Sequence, residues 1–149
     1  MKKLLVLFAA FVVSFQTFAY DPINEKLIRS FKSSFPNAAQ VNWQENQNEF
    51  IVSFVEQNIR ARAYYDKEGA LTQVIRYYHE QTLPFNILHT IKQQFGGKKI
   101  FGIVEVTAPT ADKNLETEYY VKLEDNRYWI TVKVNSHGNA SVTQRLRKA

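Results

Sequence analysis

An internal repeat constrains the fold of this chain more than any other feature of its sequence. Residues 49–78 align without a gap to residues 118–147, at a constant offset of 69 positions (118 − 49). The shared residues include the glycine of a turn, with Gly69 aligned to Gly138. Because a repeated segment is one supersecondary unit used twice, we predict its structure once and expect the two copies to pack in the same way.

A second offset, of 60 positions, relates the segments that precede the two copies. In both, apolar residues recur every three or four positions, which is the pattern of an amphipathic helix. We predict helices over about 22–35 and 82–95, each ended by a residue that disfavours helix. Phe35 and Phe95 end the two apolar stripes, so we expect them to be buried in equivalent places.

Each predicted helix is followed by four segments with the alternating periodicity of strands. They lie near residues 38–46, 50–55, 59–65, 70–78, 99–107, 117–125, 127–135 and 139–147. The nine-residue difference between the offsets falls in the loop from Ala108 to about Leu115. The predicted fold class is α+β, a tandem repeat of a helix plus four antiparallel strands. The helices would pack on one face of a single long sheet, or of two sheets joined edge to edge.

The first 19 residues have the pattern of a secretory signal peptide. Lys2 and Lys3 precede an apolar run from Leu4 to Val13, and small residues stand before the expected cleavage site after Ala19. The run is shorter than the roughly 20 residues that a membrane-spanning helix needs. We therefore expect a periplasmic or secreted protein that starts at Tyr20 and has no membrane insertion after signal cleavage.

Composition narrows the classes of function. The chain has no cysteine, so it has neither disulfides nor thiol chemistry. Removing the signal peptide lowers the formal charge from +5 to +3 (5 − 2), because Lys2 and Lys3 leave with it. A balance this mild does not indicate nucleic acid as a partner.

The order of elements and their boundary residues resemble the PepSY-like family of secreted Bacteroidetes proteins, which is related in fold to beta-lactamase inhibitory protein. The residues that carry the resemblance are Phe31–Pro36, Ala38, Val41–Trp43, Tyr65–Gly69 and Leu83–Pro84. It covers nearly all of residues 20–149, as one PepSY-like domain of two repeats, about 21–78 and 82–147. The resemblance implies a sheet whose open face grips another protein.

No pattern in the chain predicts an active site or a metal site. The three histidines, His79, His89 and His137, lie in different elements, and Leu83 stands where a zinc-protease motif needs its second histidine. The segment 66–69 lacks the alternating oxygen ligands of a calcium loop. We expect no enzyme activity, no metal and no cofactor.

The outward face of the sheet is the candidate binding surface. Its arginine, tyrosine and tryptophan content is typical of binding hot spots, although the same residues also suit a solvated sheet face. Trp129 is expected outward because its neighbour Ile130 should point inward. The candidate residues are Arg60, Arg62, Tyr64, Arg76, Tyr78, Tyr120, Lys122, Trp129, Lys133, Arg145 and Arg147.

Three functions remain open on the sequence. The first is an exported, non-enzymatic binding module, including an inhibitor-like one, that recognises a protein or an anionic polymer through the open face. The second is a periplasmic enzyme of hydrolase type. The third is a structural or dimerising domain that uses the same face for self-association.

Overall fold

Two helices and eight strands follow one another in the predicted order. The computed structural model describes residues 25–149, so the predicted signal peptide, the expected start at Tyr20 and the first residues of the first predicted helix lie outside the described part. A short 3₁₀ turn (Glu80–Thr82) precedes the second helix. The elements are α1 (Glu25–Ser34), β1 (Ala39–Glu45), β2 (Glu49–Glu56), β3 (Ile59–Asp66), β4 (Leu71–Tyr78), α2 (Phe85–Gln94), β5 (Lys99–Pro109), β6 (Leu115–Glu124), β7 (Tyr128–Asn135) and β8 (Ala140–Arg147).

All eight strands form one antiparallel sheet in which each strand pairs with its neighbours in sequence. The two repeats join through β4 and β5, whose pairing runs from Val74 opposite Thr107 to Tyr78 opposite Ile103. This continuous ladder makes a single sheet, rather than two joined by side chains alone. The predicted α+β fold class is confirmed. The edge strands of the sheet are β1 and β8.

Both helices lie on the same side of the sheet, which we call the helix-covered face. The pairing of β4 with β5 places the inward-pointing side chains of both repeats on the same face, and Arg76 lies opposite Glu105 between the two cores. The first core comprises Leu27, Phe31, Phe35, Phe50, Val52, Phe54, Ala61, Ala63, Tyr65 and Val74. The second comprises Leu83, Ile87, Ile91, Ile103, Tyr119, Val121, Leu123, Ile130, Val132 and Val134. Each helix buries its own apolar stripe, so each repeat has its own core.

The turn after the second strand of each repeated segment uses glycine for a backbone reason. Gly69 and Gly138 have φ angles of +81° and +86°, where a Cβ atom is disfavoured. The residue that opens each turn caps it: Asp66 Oδ1 accepts from the Ala70 N–H at 2.7 Å, and Asn135 Oδ1 accepts from the Asn139 N–H at 2.9 Å. The aligned glycines thus mark the same left-handed turn, as the sequence predicted.

The two helix ends are equivalent in backbone but differ in burial. The Phe35 and Phe95 amides each donate to a carbonyl four residues earlier, at 2.9 Å. Phe35 is buried against Phe31 and Phe54, with ring centroids 5.3 and 4.6 Å away. Phe95 packs on the second core but is only partly buried. The expectation of equivalent burial is therefore confirmed for Phe35 and met in part for Phe95.

A bulge interrupts the first strand of each repeat at the same place. In β1 the register shifts between Ala39 and Asn42, and in β5 between Ile100 and Gly102. Val41 and Phe101, which are related by the 60-residue offset, fall within these bulges and are 40% and 59% exposed. The bulges break the simple alternation of side chains that a regular strand would have.

The nine-residue difference between the offsets lengthens strands more than it lengthens a loop. β5 has 11 residues and β6 has 10, against 7 in β1 and 8 in β2. The ladder reaches Pro109 opposite Leu115, leaving a short turn closed by the Thr110 N–H donating to the Asn114 carbonyl at 2.7 Å. The expected loop from Ala108 to about Leu115 is therefore shortened to residues 110–114, and the residues on either side belong to β5 and β6.

Candidate functional site

The side of the sheet opposite the helices is the candidate site, and we call it the open face. Along β3 its residues alternate with the core residues Ala61 and Ala63, and along β7 with Ile130 and Val132. The strand register links them across the sheet, with Tyr120 opposite Lys133. Seven predicted residues lie here, namely Arg60, Arg62, Tyr64, Tyr120, Lys122, Trp129 and Lys133.

Four predicted residues lie on the opposite side, and their placement on the open face was wrong. Arg76 and Tyr78 share the inward positions of β4 with Val74, while Arg145 and Arg147 pair with Ile130 and Tyr128 at the inward positions of β8. The four corrected residues are Arg76, Tyr78, Arg145 and Arg147.

A one-residue bulge in each of the two strands is the physical reason for the correction. Thr72 is the extra residue between Leu71 and Gln73, and Thr143 is the extra residue between Val142 and Gln144. One inserted residue moves every later side chain of its strand to the other face. Each threonine hydroxyl donates to a carbonyl of the neighbouring strand, Thr72 to Tyr64 at 3.1 Å and Thr143 to Thr131 at 3.2 Å.

Arg76 and Tyr78 belong to a polar network between the two cores. Glu105, at 5% exposure, is the buried charged residue of the described chain. One of its carboxylate oxygens pairs with Arg76 at 2.7 Å, and the other accepts from the Tyr78 hydroxyl at 2.9 Å. Burial and then the adjacent Glu105 charge raise the pKa of Tyr119 to about 12 and raise the pKa of Tyr78 further.

The polar groups of this network bind one another, so few hydrogen-bonding groups remain to bind a substrate. Both oxygens of Glu105 are already bound by protein groups. A buried charge that loses its partner is costly, so Arg76 and Tyr78 serve the stability of the seam between the repeats. Their chemistry is that of a structural ion pair.

The second half of the open face carries an aromatic cluster of Phe101 and Trp129. The two rings meet edge to face with centroids 4.8 Å apart. Lys122 Nζ lies 4.8 Å from the Trp129 centroid and 5.5 Å from that of Phe101, and Lys148 Nζ lies 4.7 Å from Trp129. Cations at these distances are attracted to the ring faces. The arrangement presents apolar surface rimmed by charge.

Sequence reasoning found Trp129 but missed Phe101 and Lys148. The sequence predicts a strand at Phe101 but not the face of the sheet on which its side chain lies, because the alternation of residues does not reveal the bulge in β5. The 60-residue offset was an available signal, since it aligns Phe101 with Val41, an apolar residue in the strand predicted to resemble an edge strand. Lys148 follows the last predicted strand and is brought to Trp129 by the pairing of β8 with β7.

Two of the cations in this half are neutralised by glutamates. Lys148 pairs with Glu124 at 2.6 Å, and Lys133 pairs with Glu118. The hydrogen bond from Lys133 is the main cause that lowers the pKa of Glu118, and the bond to Glu118 raises the pKa of Lys133. Tyr120 also donates to Glu118 at 2.8 Å. The part of the open face on β6 and β7 is therefore a closed set of mutually paired groups.

The first half of the open face contains a cleft of about 400 Å³. Arg60 and Arg62 project outward from β3 and line this cleft, and within residues 25–149 neither makes an ion pair or a side-chain hydrogen bond. The residues lining the cleft are Gln40, Ser53, Phe54, Val55, Arg60, Ala61, Arg62 and Tyr77. Tyr64 continues the same outward row of β3.

No metal centre assembles in the part of the chain that the structure describes. Residues 25–149, which include His79, His89 and His137, hold no group of three histidine, cysteine or acidic side chains close enough together to bind an ion. Within the same range no helix is both long and apolar enough to cross a bilayer.

Comparison with solved structures identifies the fold. A BLIP-like protein from Bacteroides fragilis superposes with a TM-score of 0.66 at 13% identity, covering 83% of this chain and 85% of that chain. A candidate periplasmic protein from Bacteroides eggerthii gives 0.60 at 11% identity, covering 83% and 88%. A DUF2874 family protein from Bacteroides ovatus gives 0.62 at 10% identity, covering 82% and 85%.

No family model and no curated protein matches the chain. At 10–13% identity the three structures share the fold with this chain, and the resemblance inferred from the sequence is confirmed at that level. The chain has a BLIP-like fold built from two repeats of a helix and four strands.

Proposed function

We propose that this protein is an exported, non-enzymatic binding module that recognises another protein through its open face. The observation that carries the proposal is the exposed aromatic cluster of Phe101 and Trp129 on a sheet face that no described helix covers. Tryptophan is among the residue types enriched at positions that dominate binding energy, and Trp129 is half of this cluster. The Phe101 ring is 59% exposed and touches a second ring, so the two form a contiguous apolar patch of the kind that marks interaction sites.

The distribution of charge favours a protein over an anionic polymer. A polymer of uniform negative charge binds best to a continuous track of free cations. On this face Lys133 and Lys148 are already paired with glutamates, so a track of free cations is interrupted in the second half of the sheet. A folded protein instead matches separate apolar and charged spots across a surface of about 800 Å² on each partner.

Binding without catalysis is supported by the state of the ionisable groups. The one buried charge of the described chain, Glu105, is held by Arg76 and Tyr78 away from the open face. Export is supported by the leader-like pattern of residues 1–19 and by the likeness to a candidate periplasmic protein. Inhibition of an enzyme is one form that such binding can take.

The test compares capture of partners by the wild-type protein and by Trp129→Ala. The protein would be immobilised and exposed to an envelope fraction of its source organism. We expect the substitution to weaken capture of a specific partner by about 2 kcal/mol or more, as at other hot spots. Folding stability should fall by about 1 kcal/mol, since Trp129 is only partly buried and mainly loses its contact with Phe101.

Arg147→Ala is the matched control, because Arg147 is an exposed residue on the helix-covered side of the same sheet. It should leave capture unchanged. Equal capture by wild type and Trp129→Ala would contradict a binding role for the open face. If the wild type sediments as a dimer and Trp129→Ala as a monomer, self-association is the function of the face instead.

A further inference from the structure

We propose that the cleft around Arg60 and Arg62 binds a carboxylate side chain, aspartate or glutamate, presented by the protein partner. The inference rests on the proposed function and adds to it the chemistry of one contact. It concerns the first half of the open face, away from the aromatic cluster.

The strand register makes the two arginines converge on one volume. Arg60 and Arg62 are two residues apart on β3, so their side chains leave the same face about 6.6 Å apart. Arg60 stands between Val55 and Tyr77 on the flanking strands, and Arg62 stands opposite Ser53. Two guanidinium groups with a hydroxyl-bearing wall can offer several N–H and O–H donors to a single carboxylate.

The electrostatics favour an anion in this position. Two like charges held at neighbouring positions repel one another, and within the described chain neither arginine has an acidic partner. Elsewhere on the open face Lys133 and Lys148 are each neutralised by a glutamate. A bound carboxylate would relieve the repulsion and make charge-assisted hydrogen bonds.

Comparison of the two repeats shows that the pair of arginines is specific to the first. Arg60 aligns with Trp129 at the 69-residue offset, and Val41 aligns with Phe101 at the 60-residue offset. In the second repeat these positions hold two rings in contact, whereas in the first they hold a small apolar residue and a cation beside an open volume. The same position of the repeat thus holds an apolar residue, Trp129, in the second repeat and a charged residue, Arg60, in the first.

The backbone of the bulge beside the cleft supports the assignment. Gln40, a cleft-lining residue, has a φ angle of +53°, which is unusual for a residue with a side chain. Its repeat counterpart Ile100 is not among the described residues with positive φ. Strained backbone that persists in one copy of a repeat and not in the other is a feature associated with binding sites.

A carboxylate fits better than a polyanionic chain. β3 and β7 are four strand spacings apart, or about 19 Å, and the strands between them carry the paired Glu118. A sulfated or phosphorylated polymer lying across the face would meet that neutral Lys133–Glu118 pair where it needs a free cation. A single acidic side chain needs only the cleft, while the rest of the partner meets the aromatic cluster.

The experiment uses a short peptide containing two adjacent glutamates and its glutamine counterpart as probes. Titration of the full mature protein would be followed by NMR through the Nε–H signals of Arg60 and Arg62 and the amides of Ser53 and Tyr77. We expect saturable shifts at these groups with the glutamate peptide, and binding at least about tenfold weaker with the glutamine peptide, because charge-assisted bonds are lost.

The variant pair is R60Q/R62Q and its control R127Q/R147Q, which removes the same charge from exposed arginines outside the open face. The first should reduce affinity for the glutamate peptide by about tenfold or more, and the second by less than about twofold. Circular dichroism and thermal unfolding of both variants would verify that they fold.

Three results would overturn the proposal: no shift at the arginines, equal binding of the two peptides, or equal loss in both variants. Tighter binding of heparin or inorganic sulfate than of the glutamate peptide would also overturn it, in favour of a general polyanion site. If the peptide fails while partner capture still depends on Trp129, only the carboxylate assignment falls. If neither dependence is seen, the proposed function falls with it.

Discussion

Two tyrosines of the helix-covered face differ in whether their hydroxyl group makes a hydrogen bond. Tyr78 donates to Glu105 at 2.9 Å and helps to hold the seam between the cores. Tyr65 is fully buried, and its hydroxyl has no hydrogen-bond partner among residues 25–149. Burial alone raises the pKa of Tyr65 to about 12. The same residue type therefore stabilises the fold at one position and carries an uncompensated polar group at the other.

Tyr65→Phe and Tyr78→Phe form a matched pair that tests this difference. We expect Tyr65→Phe to leave stability unchanged or raise it by about 1 kcal/mol, because a buried unsatisfied hydroxyl is removed. Tyr78→Phe should lower stability by about 1–3 kcal/mol, because the buried carboxylate of Glu105 then loses one of its hydrogen bonds. Urea unfolding near neutral pH would measure both. A larger loss for Tyr65→Phe than for Tyr78→Phe would contradict the account.

At the scale of elements, each helix is anchored by its apolar stripe on three or four strands of its own repeat. Leu27 and Ile87 occupy equivalent, fully buried positions, so the two helices pack on their strands in the same way. The first helix adds aromatic packing, with Phe31 contacting Trp43 and Phe54 at centroid distances of 5.3 and 5.2 Å. The second repeat has aliphatic Ile103 where the first has Trp43. The end of α2 is consequently less enclosed than the end of α1.

Alanine substitutions at the two helix ends should reveal this asymmetry. Phe35→Ala removes a buried ring from an aromatic cluster and is expected to cost about 3–5 kcal/mol. Phe95→Ala should cost less, because the half-buried ring leaves a smaller cavity and keeps part of its surface in water. Chemical denaturation of the two variants would give both values. An equal or greater loss at Phe95 would mean that the second helix depends on its terminal ring as fully as the first.

At the scale of the whole molecule, two separate cores are held together by one strand junction and one polar network. β4 and β5 supply the backbone ladder, and Arg76, Glu105 and Tyr78 supply the side-chain contacts across it. Within residues 25–149 both helices lie on one side, so neither covers the other side of the eight-stranded sheet. That asymmetry makes one side structural and the other a candidate for recognition.

Export is the prediction that belongs to the complete chain. We propose that residues 1–19 direct secretion and are removed, because they combine two lysines, a short apolar run and small residues before Ala19. N-terminal sequencing of the protein from its host's periplasm or medium should begin at Tyr20. Recovery of a cytoplasmic protein that retains Met1–Ala19 would contradict the proposal, and replacing Leu5 and Leu7 with arginine should serve as a control that blocks export.

Periodicity and the repeat, both local properties of the sequence, determined most of the architecture. An apolar stripe predicts a helix and alternation predicts a strand, whatever lies elsewhere in the chain. The offset relation then required two equivalent units, and the glycines at 69 and 138 indicated the same turn twice. The facing of Trp129 followed as well, because β7 is regular from Tyr128 to Thr131, where Ile130 is buried.

Only the tertiary structure decided which residues share the open face. Thr72, Thr143 and the bulge that contains Phe101 each insert one residue opposite a neighbouring strand, and a sequence does not record what a residue lies opposite. A single inserted residue reverses the facing of everything after it, which moved Arg76 and Arg145 inward. The aromatic cluster and the cleft beside Arg60 arise from those pairings between strands, so they exist only once the sheet has formed.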